Sequence, residues 1–381
     1  MERPPVTRVI VLLAVAGAAV ALAAAIVPVA RAQRPDAPGH PRTMSAAAAR
    51  RAVDSLLADY AKPGAPGASV VVVRDGRVLL ERAYGLADVD SGTRATPRTD
   101  YRLASLTKEL TATAVMILAD EGKLSVDDPV SRWLPQLPAY ARGVTIRHLL
   151  NHTSGIWAYE DFVPDSQTYQ VKDRDALHLI QRADSLYFPP GSAFRYSNTG
   201  YALLALVVEA ASGMPFARFM RERVFIPAGM RSTVAYEAGV STVPRRACGH
   251  AAEGAGWVRA DQSNTSAVLG DGGVYTSVDD LVKWSRVLFA HRLVRAATQQ
   301  LAWTSATLTN GQPAGYGFGW FVDRDAHGLR LWHNGETRGF TNGIVVYPEQ
   351  RLMVVLLTNR LGGTPWDIAQ RIAELYLNGA R

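Results

Sequence analysis

Residues 68–83 read ASVVVVRDGRVLLERA, two strand-like runs, 68–73 and 77–83, around Arg74-Asp75-Gly76. Valine is β-branched and suits an extended backbone, and Asp-Gly tolerates the positive φ angles of a tight turn, so the stretch predicts a β-hairpin. Upstream the period changes. After Ser45, a predicted N-cap, AAAARRAVDSLLADYA sets Ala49, Val53, Leu56, Leu57 and Tyr60 on one helical face. Downstream, from about 105 to 300, the pattern is mostly helical and punctuated by Gly and Pro. Clear helices are expected at 106–121, 200–212 and 278–290, the last with Ser277 three residues before Asp280 as a capping box. Strand periodicity returns at 316–322, 329–333, 340–347 and 352–358, and an amphipathic helix closes the chain near 365–378.

Strands at both ends of a helical middle have one economical arrangement. The N-terminal hairpin and the C-terminal strands pair in one antiparallel sheet, and the terminal helices cover it. The expected class is therefore α+β, an α/β sandwich, with a sheet lobe of about 44–100 plus 300–378. An all-helical lobe of about 101–299 makes up the rest, and the active site is expected in the cleft between the two.

Composition narrows the function. At 48% hydrophobic and 20% charged over 381 residues, the chain is ordinary globular protein, which excludes disorder, collagen and coiled coil. The single cysteine, Cys248, excludes an intramolecular disulfide and a Cys-rich zinc site. The net charge of +7 comes from Lys and Arg scattered among acids, without the aromatic-interleaved basic stripe of a nucleic-acid binder.

The N-terminus predicts export. Arg3 and Arg8 precede an uncharged run at 9–30, and Ala30-Arg31-Ala32 supplies the small-x-small pattern of a signal peptidase site. Residues 1–32 are thus read as a signal peptide cleaved after Ala32. The 22-residue run is also long enough to span a bilayer, so an uncleaved anchor is the second reading. Both put the body outside the cytoplasm, periplasmic or extracellular. Residues 33–43, QRPDAPGHPRT, read as a linker, leaving 44–378 as the folded domain.

The commoner hydrolytic and nucleotide motifs are missing: no G-x-S-x-G, no Walker A, no G-x-G-x-x-G. His148 and His152 are four apart but lack the glutamate of a zinc protease between them. What is present is Ser105-Leu106-Thr107-Lys108 at the head of the apolar run ASLTKELTATAVMILADEG. A spacing of three puts both side chains on one helical face, where a lysine can take the proton that a serine hydroxyl must lose to become a nucleophile. Two companions follow. Tyr196-Ser197-Asn198 is expected on a loop between helices, and His333-Asn334-Gly335 lies between two strand-like runs, with a glycine that admits close approach of another backbone.

In this order the motifs resemble those of the serine beta-lactamase-like superfamily, in the branch of class C beta-lactamases, D-alanyl-D-alanine carboxypeptidases, D-aminopeptidases and related esterases. The likeness extends to LLNHTSG at 149–155, FPPGSAFRYSNTGYALLALVVEAASG at 188–213, Gly270-Asp271-Gly272-Gly273 and HNGETRGFTNGIVVYPEQRLMVVLLTN at 333–359. It implies that Ser105 is acylated while Lys108 and Tyr196 share proton transfer. It also implies that Asn198, His333, Asn334, Gly335 and Glu336 bind substrate, and that the backbone N–H groups of Ser105 and Glu336 form the oxyanion hole. His152 is structural in this resemblance, and no metal or organic cofactor is implied. The family's beta-lactamases usually have Lys-Thr-Gly or Lys-Ser-Gly at the third motif. A histidine there supplies less positive charge for a substrate carboxylate, with Arg338 as a nearby substitute. The expectation is a serine hydrolase of an ester, small amide or D-amino-acid peptide, such as a cell-wall peptide, with weak beta-lactamase activity. A non-catalytic ligand-binding or sensor protein of the same fold is the alternative.

Overall fold

In the computed structural model, which describes residues 44–164 and 166–379, Ala68–Arg74 (β1) turns through Asp75 and Gly76, at φ 51° and 71°, into Arg77–Tyr84 (β2). Positive φ at both turn residues matches the right-handed twist of the two strands. The segments read as leader and linker, 1–32 and 33–43, lie outside the described residues. Four further strands, Phe321–Asp325 (β3), Gly328–Thr337 (β4), Phe340–Tyr347 (β5) and Leu352–Thr358 (β6), complete one antiparallel sheet in the order β3-β4-β5-β6-β1-β2. The two ends of the chain meet in its middle, where β6 pairs with β1 from Ala68↔Thr358 to Arg74↔Leu352. These central strands are apolar without alternation because both of their faces are buried.

The main helices are Ala46–Leu56 (α1), Thr107–Asp120 (α2), Asn198–Ser212 (α3), Val278–Ala290 (α4) and Pro365–Leu377 (α5). The outer face of the sheet, with Val70, Val72, Val345, Val354 and Leu356, packs with Val53 of α1 and Ile372 and Tyr376 of α5. Its inner face, with Val71, Val73, Ile344, Val355 and Leu357, is continuous with the core of the helical lobe. Here α4 lies on β1 and β6, so a helix from the middle of the chain serves as a layer of the sandwich. Ser277 caps it by accepting the Asp280 N–H.

The lobe expected to be all helical also carries two small sheets. Val274–Thr276 pairs with Tyr101–Arg102 on one side and Val234–Ala235 on the other, and His250–Glu253 pairs with Gly256–Arg259. Strands of two to four residues leave no periodicity to read. Other boundaries move too. The N-terminal helix stops at Leu56 and tightens into a 3₁₀ turn at Ala58–Ala61, the 316–322 run becomes a strand only at Phe321, and β4 runs on to Thr337, taking the third motif into the strand.

Asn359, fully buried at the end of β6, joins three parts of the chain. Its Nδ2 donates to the carbonyls of Leu86, Ala87 and Cys248, and its Oδ1 accepts the Gly67 N–H at 2.7 Å. Gly67 N–H, Leu86 C=O and Ala87 C=O also pair within the main chain, but Asn359→Ala leaves the Cys248 carbonyl without a donor in a dry interior, so it is expected to lower the unfolding free energy by about 2 kcal/mol in a denaturant titration. A change within error would show that water replaces the amide.

Candidate active site

Ser105 sits in a 3₁₀ turn, Ala104–Leu106, that leads into α2. Ala104 holds φ at 50°, a conformation L residues rarely adopt, which persists only where the surroundings over-determine it. They do so from both lobes. Asn342 of β5 donates to the carbonyls of Arg102 (2.9 Å) and Leu103 (3.2 Å) while accepting the Thr358 N–H, and the Arg102 guanidinium donates to the carbonyls of Ser266 and Gly272.

One helical turn on, Lys108 is 0% exposed, and its Nζ donates to Ser105 Oγ (3.0 Å), Asn198 Oδ1 (2.8 Å) and the Asp271 carbonyl (2.9 Å). The orientation of the Asn198 amide is set from behind, since its Nδ2 donates to Glu160 Oε1 at 2.7 Å. Two of the three acceptors, Asn198 Oδ1 and the Asp271 carbonyl, can only accept. A neutral amine would spend both of its N–H bonds on them and turn its lone pair to the one neighbour with a proton to give, the Ser105 hydroxyl. The Asp271 side chain does not add a full anion beside the lysine. Burial pushes its carboxyl up to about 7, and Tyr159 donates its hydroxyl to it.

Tyr196 closes the third side. Lys108 Nζ lies 4.9 Å from the centre of its ring, and its hydroxyl is buried with no hydrogen-bond partner among the described residues. His152, expected only as a structural residue, also holds this triplet in place. Its ring packs 4.3 Å from that of Tyr196, its Nδ1 accepts the Ser197 N–H, and its own φ is 59°. Burial, reinforced by the nearby Lys108, drives its pKa well below the ordinary histidine value, so it stays neutral. Asn198, placed by the sequence reading on a loop, is the first residue of α3.

The third motif is reached differently from the sequence expectation. Side chains alternate along β4, so His333 and Gly335 turn inward, while Asn334 and Glu336 are exposed. The side chains of Asn334 and Glu336 therefore do not line the pocket. His333 is 1% exposed and both ring nitrogens are engaged: Nδ1 donates to the Asn334 carbonyl at 2.6 Å and Nε2 accepts from the Tyr316 hydroxyl at 2.9 Å. Burial, reinforced by Lys108, lowers its pKa to about 3. It is a neutral wall residue rather than a contact for a substrate carboxylate. Gly335 fits the sequence reading closely: a Cβ there would lie 2.3 Å from the Leu103 carbonyl, so only glycine lets the strand touch the turn that carries Ser105.

The main chain of the motif is what faces the site. Thr337 and Phe340 close the β4–β5 hairpin as a hydrogen-bonded pair, and alternation then directs the N–H of Glu336 away from β5. Because β3 pairs only as far as Phe321↔Trp332, that N–H lies on an open edge beside Ser105. Sequence reading missed Glu160, Asp271, Tyr316 and Asn342; only the Gly270–Gly273 motif hinted at Asp271.

The chain as a whole has known relatives. The family model called Beta-lactamase matches residues 49–377, and the chain belongs to the beta-lactamase family of serine hydrolases. Penicillin-binding protein 4* of Bacillus subtilis (strain 168) is 31% identical over 345 residues, which cover 80% of this chain and 74% of that protein. Protein flp of Staphylococcus aureus is 29% identical, and the chain spans 62% of its length. Among solved structures, the octameric penicillin-binding protein homologue from Pyrococcus abyssi aligns with a TM-score of 0.77 at 26% identity, over 88% of this chain and 78% of that one. EstCE1, a hydrolase with promiscuous acyltransferase activity, aligns at 0.71 with 25% identity over 86% and 98%.

Two consequences of the His333 environment are measurable. Nitrogen-15 NMR at pH 5.5 is expected to show a neutral His333 in the Nδ1–H tautomer, and a protonated ring there would contradict the assignment. Because the folded pKa is depressed, His333 contributes stability above about pH 6.5 that is lost as pH falls toward 3.

Proposed function

We propose that the chain is an exported serine hydrolase that forms an acyl-enzyme on Ser105 and cleaves an ester, a small amide or a D-amino-acid peptide. The observation that carries the reading is the coordination of Lys108, whose three polar neighbours accommodate a neutral base aimed at the Ser105 hydroxyl. In the acylation step Ser105 Oγ bonds to the substrate carbonyl carbon, and its one proton passes to Lys108, which relays it by way of Tyr196. The oxyanion is stabilised by the N–H groups of Ser105 and Glu336. Tyr196 returns a proton to the leaving group as the ester or amide bond breaks, and water releases the acyl group by the reverse route.

The uncharged third motif favours esterase chemistry over D-alanyl-D-alanine carboxypeptidase chemistry, and both over beta-lactam hydrolysis. A substrate carboxylate would meet a neutral His333 where a lysine cation is usual in the family's beta-lactamases, and Arg338 is exposed at the tip of the β4–β5 hairpin. A non-catalytic sensor is disfavoured, since such a protein has no need to keep Ser105, Lys108 and Tyr196 together. Export is supported by residues 1–32 alone.

A fluorophosphonate probe is expected to add to Ser105 in intact-protein mass spectrometry. Ser105→Ala is expected to lose the adduct and to lower ester turnover on the order of 10³-fold or more. Turnover that survives the substitution would overturn the mechanism. Rates should fall from p-nitrophenyl ester to D-Ala-D-Ala peptide to chromogenic cephalosporin, and a fast cephalosporin rate would refute the reading of the third motif. N-terminal sequencing of protein recovered from a secreting host should begin at Gln33 if the leader is cleaved, and at Met1 if it is kept as an anchor.

A further inference from the structure

Three aromatic rings run outward from the Tyr196 end of the site. Phe321, the first residue of β3, stacks on Trp332 with centroids 4.3 Å apart and planes 15° apart, and Trp332 stacks on Trp366 of α5 at 4.1 Å. The column is fixed from the side: Trp332 Nε1 donates to Asp323 Oδ2, and Arg330 clamps Asp323 with two bonds of 2.7 Å. Phe321 is therefore rigidly backed although its side chain is half-exposed. On its other side it meets the site. Its ring lies 4.9 Å from Tyr316 and 5.1 Å from His333, and 6.2 Å from Tyr196 with planes only 8° apart.

The direction of β4 says which part of a substrate comes here. The pairing of β3 stops at Phe321↔Trp332, so the open edge of β4 begins at this ring and runs past Gly335 to the Glu336 N–H. A carbonyl held at the Glu336 end leaves its departing group pointing back toward Tyr196, the proton donor, and so toward Phe321. Apart from Lys108, which is committed to Ser105, Asn198 and Asp271, the described side chains around that position offer no cation. His333 is neutral, Tyr316 gives its hydroxyl to His333, and the Arg330 guanidinium is taken by Asp323. A preorganised apolar face without charge suits a flat, uncharged group, which gains stacking as well as burial.

Building on the acyl-enzyme reading, we propose that Phe321 sets leaving-group specificity, so that the preferred substrates are esters or amides whose departing alcohol or amine carries an uncharged aromatic ring. The test compares benzyl and ethyl esters of the same short acid, whose alcohols leave with similar intrinsic ease. The wild-type chain is expected to favour the benzyl ester in kcat/KM by about tenfold or more. Phe321→Ala should bring the ratio close to unity through loss on the benzyl ester alone, while Phe321→Tyr keeps it. Phe321→Leu, which preserves bulk against Trp332, should lower the ratio as well and serves if the alanine variant does not fold. Labelling of Ser105 by a small alkyl fluorophosphonate is expected at the wild-type rate in each folded variant. An unchanged benzyl-to-ethyl ratio in the Ala or Leu variant, with Ser105 labelling intact, would overturn the proposal. A wild-type chain that fails to label would instead sink the acyl-enzyme reading, and this one with it.

Discussion

A lysine amine sealed from water must find all of its polar partners in the protein, and Lys108 finds them in Ser105, Asn198 and Asp271. These partners belong to the turn before α2, the start of α3 and the Gly270–Gly273 segment, so one buried nitrogen fixes three separate pieces of the helical lobe against each other. Removing any one of them leaves the amine short of a partner in a dry site. Glu160 and Tyr159 extend the same logic one shell outward, by fixing the Asn198 amide and the Asp271 carboxyl.

The sheet supplies the other half. Asn342 ties the turn that carries Ser105 to β5, and the absent side chain of Gly335 lets β4 close on the same turn. The site is thus a joint between lobes whose two sides are tethered by main-chain groups, which suits chemistry that depends on oxyanion donors held in advance. The neutral histidines fit this picture. Both are too deeply buried to carry charge, and each orients its neighbours: His152 the Tyr196 triplet, and His333 the Tyr316 hydroxyl.

What could be read from the sequence was local. The hairpin at Asp75-Gly76, the helical spacing of Ser105 and Lys108, and the strands at 340–347 and 352–358 follow from turn chemistry and periodicity over a few residues. What could not be read depended on which distant segments touch. The span 316–320 alternates aromatic residues with glycines and so imitates a strand. In fact Gly317 and Gly319 press against the backbone of Ala302 and Glu109 while Tyr316, Phe318 and Trp320 fill the core. Asn334 and Glu336 were assigned to the site by resemblance to the third motif, which does not say where their side chains point; the run of β4 to Thr337 turns both outward. Glu160 and Asn342 act through partners remote in sequence, and turn chemistry and periodicity do not reveal them, whereas the LLNHTSG stretch marked His152 as structural without naming its partners.

The pairing of β1 with β6 has a consequence for how the molecule is made. A ribosome delivers the first of these strands well before the second, so the apolar centre of the sheet has no native neighbour until all of the intervening helical lobe has been made. Closing so long a loop is slow, and in the interval the valine run of β1 is a sticky edge. Catalytic competence therefore cannot precede synthesis of the last strands, because β4, with its backbone donor, arrives late as well. A partly made chain is inert.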